Sequence, residues 1–276
     1  MTLRIGLLQT TTGIHHDENA TILAAGLNRL ADDGASLAFT PEMSGMLDRN
    51  RDRAMAAAVA EADNPVLAAV RNMAAKRGLW VHLGSLAIKS PCHDDRLVNR
   101  GFLIDPSGAI CARYDKIHLF DVDLPGGERY RESGTYAPGD GAVVADTPWG
   151  RLGLSICYDL RFPALYSALT EAGATILSIP AAFTRPTGAA HWHILLRARA
   201  IEAGAFVVAA AQTGVHQDGR ETYGHSLVID PWGNVLLDMG VDSGHAILDV
   251  DLTKISATRS RIPALAHRRP ISVRLE

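Results

Sequence analysis

Six short runs rich in branched apolar residues, at 4–9, 36–40, 79–86, 151–157, 175–179 and 206–211, alternate with longer segments of helical pattern. Runs this short and this apolar are what a strand needs when other layers cover both of its faces. Several of the longer segments carry helix punctuation: 18–33 stops at Gly34, 64–77 has Pro65 in its first turn and stops at Gly78, and 191–203 stops at Gly204. Proline suits a first helical turn because its missing N–H would have no partner there, and glycine ends helices because it enters the left-handed region without a Cβ clash. The alternation predicts an α/β fold. Three turn sequences, Asp105-Pro106-Ser107-Gly108, Thr147-Pro148-Trp149-Gly150 and Asp230-Pro231-Trp232-Gly233, join apolar runs as hairpins, so the sheets are expected to be mixed. They recur without a fixed period, which argues against a solenoid. No low-complexity linker divides the chain, and we read 1–276 as one domain whose 47% apolar content supports a large core.

A formal net charge of −3 gives no electrostatic reason to expect nucleic acid or an anionic membrane as partner, so a small molecule is expected. No apolar run reaches transmembrane length, and the first nine residues form a strand-like run unlike a secretory signal. The three cysteines, Cys92, Cys111 and Cys157, are odd in number and widely spaced, which fits a reducing compartment and an expected cytoplasmic location.

Cys157 closes the run Leu152-Gly153-Leu154-Ser155-Ile156, and Pro163 is placed to open the next helix. A thiol there meets backbone N–H groups and the positive end of a helix, which favour the thiolate, and open α/β sheets bind ligands beyond the carboxyl ends of their strands. A small core residue is the other use of a cysteine at this point. Glu42 leaves the run 36–40 through Pro41 with Met43 and Met46 nearby, and suits either a general base or an acid in a first helical turn. Lys116 closes the run 109–115 between apolar neighbours, in Tyr114-Asp115-Lys116-Ile117-His118-Leu119-Phe120, a setting that implies partial burial of a residue type usually left in water. A base, a cation and a thiol at three strand exits are the parts that breaking an unactivated amide requires. The stretch 118–140, rich in Gly, Pro and charge, is expected to be a long loop bordering that site.

Pro41-Glu42, Lys116 in its heptapeptide, and Cys157 within Cys157-Tyr158-Asp159-Leu160-Arg161-Phe162-Pro163 resemble the Glu, Lys and Cys motifs of carbon–nitrogen hydrolases of the nitrilase superfamily, over about residues 3–269. His191-Trp192 ahead of residues 195–202, Tyr223-Gly224-His225-Ser226 and His267-Arg268-Arg269 resemble the branch containing deaminated-glutathione amidases and omega-amidases. The resemblance implies a four-layer α-β-β-α sandwich with mixed sheets. It also implies catalysis without metal or organic cofactor, and a homodimer or homotetramer paired through helices around 163–172 and 191–203, with the tail from about 259 to 276 packed at the subunit interface. Cys157 is then the nucleophile and Glu42 the proton carrier, while Lys116 and the backbone N–H of Tyr158 stabilise the oxyanion. Glu132 resembles a second family glutamate that positions substrate and Lys116. The implied reaction cleaves a small carboxylate-bearing amide to a carboxylic acid plus ammonia through a cysteine thioester. Deaminated glutathione ranks first as substrate, then the omega-amides 2-oxoglutaramate and 2-oxosuccinamate, then N-carbamoyl amino acids. Tyr158-Asp159 stands where nitrile-cleaving members carry Trp-Glu, which disfavours nitriles, and Met43-Ser44-Gly45-Met46 lacks the aromatic residues found there in some deaminated-glutathione amidases.

Arg161, four residues past the thiol, can clamp a substrate carboxylate through its planar fork or pair with Asp159. Phe183 and Thr184, just after the run 175–179, are candidate pocket residues, and Phe183 suits the core equally. Two other classes compete. Eleven histidines, among them His15-His16 and His191-Trp192-His193, raise a metal-dependent hydrolase, but residues two apart on a helix do not face one another and no His-Glu-x-x-His or paired Cys-x-x-Cys occurs. A non-catalytic binding protein on the same scaffold is the second alternative. Gly-rich phosphate loops and a serine elbow are absent, since Gly224-His225-Ser226 lacks the trailing glycine. The basic cluster 259–274 is interrupted by Ile262, Pro263, Leu265 and Pro270, and reads as a packed tail.

Overall fold

A computed structural model describes residues 1–93, 95–124 and 127–275. Its first half runs β1 (Thr2–Gln9), α1 (His16–Asp32), β2 (Leu37–Phe39), α2 (Arg51–Ala57), β3 (Val59–Ala60), α3 (Pro65–Arg77), β4 (Trp80–Lys89), β5 (Leu97–Ile104) and β6 (Ile110–Asp115). There follow β7 (Asp121–Asp123), β8 (Arg129–Arg131), β9 (Tyr136–Ala137), β10 (Val143–Thr147), β11 (Gly150–Leu154), a 3-10 turn (Cys157–Arg161), α4 (Pro163–Glu171), β12 (Ile176–Ser178), α5 (Arg185–Ala203) and β13 (Phe206–Ala209). The last part holds β14 (Thr213–Val215), β15 (Glu221–Tyr223), β16 (Leu227–Ile229), β17 (Val235–Asp238), β18 (Gly244–Asp251) and α6 (Thr253–Arg261).

One sheet has the order β18-β1-β2-β4-β5-β6, with β3 beside β4 and β9 beside β5, and the other has the order β10-β11-β12-β13-β16-β17. Both are mixed: β1, β2 and β4 run parallel, as do β11, β12 and β13, while the expected turns at 105–108, 147–150 and 230–233 join antiparallel neighbours. The period of two along each strand separates the layers. In β2, Ala38 joins Leu23, Leu27 and Leu30 of α1 and Val66, Leu67 and Val70 of α3, whereas Leu37 and Phe39 join the cluster built by the second sheet with α4 and α5. That second cluster holds Leu3, Ile5 and Leu7 of β1, Leu152 and Leu154 of β11, Leu165 and Leu169 of α4, and Trp192 and Leu196 of α5. The result is the four-layer α-β-β-α sandwich. Each fully buried Leu or Ile in it contributes about 1.5–3 kcal/mol of hydrophobic stabilisation.

Local signals placed α3 well. Asn64 Oδ1 accepts from the N–H groups of Val66 and Leu67, both at 3.0 Å, and Gly78 closes the helix in the left-handed region at φ 62°. Elsewhere the structure differs from the expected boundaries. The run 151–157 is a strand only to Leu154, because Cys157 already opens the 3-10 turn. The helix expected at 191–203 begins at Arg185, with Pro186 in its first turn. Gly188, which masks this start in the sequence, is required by packing, since a Cβ there would lie 2.2 Å from Cγ of Tyr223. The stretch 118–140 is not plain loop; it contains the β7–β8 hairpin, a 3-10 turn at Glu132–Gly134 and β9.

Among the described residues no helix is long and apolar enough to cross a membrane. The basic tail docks through two arginines. Arg259 donates to the carbonyls of Ala174, Ala203 and Gly204, and Arg268 meets Glu171 at 2.9 Å, while Ile271, Val273 and Leu275 stand exposed beyond them.

Gly84 in β4 is where the fold grips the site, because a Cβ there would sit 2.2 Å from the carbonyl oxygen of Thr40, 2.4 Å from that of Pro41 and 2.6 Å from Cβ of Pro180. Backbone cannot yield as a flexible side chain can, so Gly84→Ala is expected to cost about 3 kcal/mol in urea unfolding, against about 1 kcal/mol for Gly78→Ala at an open helix end. Equal costs at the two positions would mean that this close approach is not a constraint.

Candidate active site

Glu42 stands in the turn that leaves β2, and the next residue, Met43, is bent into the left-handed region at φ 54°. The bend is held by the N–H of Met43 donating to Ser85 Oγ at 2.9 Å, and it turns the glutamate side chain inward, leaving the residue 4% exposed. Its carboxylate is fully engaged. Oε1 accepts from Lys116 Nζ and from Asn99 Nδ2, each at 2.9 Å, and Oε2 accepts from the N–H of Ala182 at 2.9 Å.

Lys116 is 2% exposed, so its ammonium needs compensation close at hand. It donates to Glu42 and to both oxygens of Glu132, at 3.0 and 2.9 Å. Burial alone would push its pKa down, but the Glu132 and Glu42 carboxylates outweigh it and hold the amine well above the ordinary lysine value. Glu132 is itself fixed by the N–H of Phe120 at 2.6 Å. Asn99, on β5, bridges the two acids by donating to Glu42 at 2.9 Å and Glu132 at 3.4 Å.

Cys157 lies at the start of the 3-10 turn with φ 50°, a conformation that costs a non-glycine residue on the order of 1–3 kcal/mol and is held by the surroundings. Its N–H donates to the carbonyl of Pro180 at 2.8 Å. The buried Asp159 carboxylate ties this turn to the lysine segment, accepting from the Tyr114 hydroxyl at 2.6 Å, the Ile156 N–H at 2.9 Å and the His118 N–H at 3.0 Å, with His118 Nδ1 at 2.7 Å. A backbone N–H, that of Ala182, does favour the thiolate, as the strand-end position suggests, but other effects outweigh it. Burial, then the Glu42 carboxylate, push the Cys157 thiol well above its ordinary value, and Lys116 only partly offsets them. The resting group is a neutral thiol beside a carboxylate able to take its proton.

These side chains open on a cavity of about 330 Å³. Glu42, Lys116, Glu132, Cys157, Tyr158, Arg161, Phe183 and Thr184 all line it, so the eight catalytic and substrate-binding candidates are brought to one place. Arg161 does not pair with Asp159. Its guanidinium lies over the rings of Phe183 and Tyr158, at 5.4 and 5.8 Å, with Nη1 3.2 Å from His191 Nδ1. Phe183 serves wall and core together, its ring 4.8 Å from that of Trp192. Thr184 sits at the entrance to α5 with its hydroxyl 2.8 Å from that of Thr187. Sequence reasoning missed Asn99, whose one local sign is a polar residue inside a buried strand, and also Tyr136, Arg49 and Arg220, which line the same cavity. Of the histidines weighed as metal ligands, His193 comes together with His225 and Asp238, not with His191, with candidate ligand atoms within 4.8 Å of one another. None of the three lines the cavity.

A carbon-nitrogen hydrolase family profile matches residues 4–260. The chain is 42% identical over 270 residues to a deaminated glutathione amidase of Yersinia enterocolitica, covering 97% of this chain and 93% of that one. Among solved structures, a CN-hydrolase superfamily protein of Xanthomonas campestris with an arsenic adduct in its active site superposes with a TM-score of 0.86 at 27% identity, covering 99% of each chain. An amidase from Nesterenkonia sp. AN1, in a variant whose active-site cysteine has undergone Michael addition of acrylamide, gives a TM-score of 0.79 at 26% identity, covering 95% of this chain and 98% of that one.

The raised values of Cys157 and Lys116 make stability fall on the alkaline side. An unfolded thiol ionises near about pH 8.5 and an unfolded lysine loses its proton near about 10.4, while the folded groups hold their protons longer, so each contribution is complete below those values and fades as pH rises through the folded value. Urea midpoints at about pH 7 and about pH 9.5 are expected to fall further in the wild type than in Cys157→Ala. Identical pH profiles would show that the thiol is not held neutral by the fold.

Proposed function

The chain belongs to the carbon–nitrogen hydrolase family, and from that membership we propose that it hydrolyses deaminated glutathione, the 2-oxo acid obtained when a carbonyl replaces the amino group of the glutamyl part. The observation that carries the reading is a thiol, a carboxylate and an ammonium opening on one cavity that also holds guanidinium groups suited to an anionic amide. Glu42 takes the Cys157 proton as sulfur attacks the amide carbon. The transfer leaves the net charge of the buried cluster unchanged, which favours this base over solvent. Lys116 and the N–H of Tyr158 face the developing oxyanion, each such donor supplying about 10²–10³ in rate. The carbon–nitrogen bond then breaks as Glu42 returns the proton to the departing nitrogen. The same carboxylate next deprotonates the water that cleaves the thioester, contributing about 10²–10⁴ as acid and base. The expected ammonia product is corrected for this substrate: with deaminated glutathione the departing amine is cysteinylglycine, and ammonia leaves only from primary amides such as 2-oxoglutaramate.

Glu132 and Asn99 act as positioning residues that fix Lys116 and Glu42. Arg161 receives the carboxylate of the 2-oxo acid part, and Phe183 and Thr184 shape the wall beside it. The same proposal has the enzyme working in the cytoplasm as a homodimer or homotetramer paired through α4 and α5, where Ile194 and Ile201 are exposed, with the tail from about residue 259 at the interface. Sedimentation as a monomer at micromolar concentration would remove that part.

Cys157→Ala is expected to abolish hydrolysis while keeping the wild-type circular dichroism spectrum, and Glu42→Gln to lower kcat by about 10²–10⁴. The substrate is tested by 2-oxoglutarate release from deaminated glutathione and 2-oxoglutaramate, beside ammonia release from N-carbamoyl amino acids and a simple nitrile. The highest kcat/KM is expected with deaminated glutathione, and preference for a carbamoyl compound or the nitrile would overturn the reading.

A further inference from the structure

We infer that Arg220 and Arg49 form a second carboxylate-binding subsite in the same cavity, on the leaving-group side, which holds the C-terminal carboxylate of a peptide-like amine. The inference rests on the substrate reading above and deepens it by assigning the far end of the molecule.

Arg220 lines the cavity, yet its Nε is buried without a hydrogen-bond partner among the described residues. A buried guanidinium N–H left unpaired is costly, and a ligand oxygen is one way to satisfy it. The residue sits in the turn between β14 and β15, where the side chain of Asp218, wholly buried, accepts from the N–H of Arg220 at 2.9 Å and the N–H of Arg49 at 2.8 Å. One carboxylate thus ties the segment after Glu42 to this hairpin. It also brings Arg49 to the hairpin: a Cβ on Gly219, the residue before Arg220, would lie 3.3 Å from Arg49 Nη2, and both arginines act on the Tyr130 hydroxyl that lines the cavity.

The nearby acids leave Arg220 unsatisfied. Asp48 is consumed by Arg53 and by the N–H of Asn50, and Asp218, which already accepts two backbone N–H groups, lies 3.6 Å from Arg220 Nη2, so neither meets the Arg220 Nε. Glu128 and Arg49 are both exposed where they line the cavity and are screened by water alike, so the buried Arg220 Nε is the main anchor and Arg49 adds to it. Tyr136 connects the two ends: burial, then Glu132, raise its hydroxyl, and it also feels Arg220, Glu42 and Lys116. Lys116 is taken up by Glu42 and Glu132, Arg129 and Arg131 by Asp123, and Arg51 by the carbonyl of Gly134, which leaves Arg161 beside the thiol and Arg49 with Arg220 elsewhere on the wall as the cations open to a ligand. Deaminated glutathione has one carboxylate on the acyl part and one on the terminal glycine, with the scissile amide between them. A primary omega-amide has only the first, so the second subsite discriminates for the peptide-like substrate. The whole cavity, about 330 Å³, lies at the lower end of the range of about 300–1,000 Å³ usual for small-molecule pockets.

The test measures kcat/KM for deaminated glutathione, for the same compound capped as the glycine N-methylamide, and for 2-oxoglutaramate, using wild type, Arg220→Gln, Arg220→Lys and Arg49→Gln. Arg220→Gln is expected to lower kcat/KM for deaminated glutathione by about 10- to 100-fold, mainly through KM, as loss of a charge-assisted bond does. The wild-type preference for the free carboxylate over the capped form should collapse with it, and Arg220→Lys should restore part of that preference. An equal loss on all three substrates marks a structural role and overturns the inference, as does an unchanged preference for the free carboxylate. Wild type inactive on deaminated glutathione but active on 2-oxoglutaramate would remove the substrate reading and the subsite together, whereas failure of the Arg220 series alone leaves that reading standing.

Discussion

The ammonium of Lys116, shared between the carboxylates of Glu42 and Glu132, is the interaction on which the rest of the site depends. A lysine this buried is tolerated only with close anionic partners, and two buried acids so near each other are tolerated only with a cation between them. The pairing draws together the exit of β2, the exit of β6 and the segment after the β7–β8 hairpin, three parts of the chain that share no local sequence. It also sets the state of the sulfur. With two acids and one ammonium in the cluster, a thiolate would add further negative charge, so Cys157 rests as a thiol.

The scaffold serves this cluster through the way its two sheets meet. Parallel strands β2 and β12 end near each other, and Gly84 lets the backbone of Thr40 and Pro41 pass within van der Waals reach of β4 and Pro180. That approach brings the N–H of Ala182 to Glu42 and the carbonyl of Pro180 to the N–H of Cys157. Two residues next to or within the site, Met43 and Cys157, pay for the arrangement with left-handed backbone, and Ser85 and Asp159 hold the segments that contain them. The site thus gathers a buried charged cluster and two left-handed residues, while the hydrophobic clusters of the layers around it are built from aliphatic and aromatic side chains.

Around the thiol the cavity is charged in an ordered way: the buried acids and ammonium, Arg161 over an aromatic wall formed by Tyr158 and Phe183, and Arg49 and Arg220, whose backbone N–H groups Asp218 holds. A neutral amide would leave those guanidinium groups without an anion to meet. An anionic amide of the kind proposed would meet them, and this division of charge is the basis of the selectivity proposed for the site.

What the sequence by itself determined is whatever is written within one turn of helix or one strand. Pro65 and Gly78 mark α3, the Asp-Pro and Thr-Pro turns mark hairpins, and the motifs around Glu42, Lys116 and Cys157 name the reacting groups, because capping, turn chemistry and strand patterning act between near neighbours. Tertiary structure decided what depends on packing between distant segments. Asn99 reads as one polar residue in an apolar strand until Glu42 and Glu132 are brought against it, and Arg49 and Arg220 read as surface charge until Asp218 joins them. The start of α5 was hidden by Gly188, whose reason is the ring of Tyr223. The state of Cys157 also depends on distant segments: backbone N–H groups near a strand end favour a thiolate, but burial beside the Glu42 carboxylate, far away in the chain, favours the thiol, and in a low-dielectric interior the second effect is the larger.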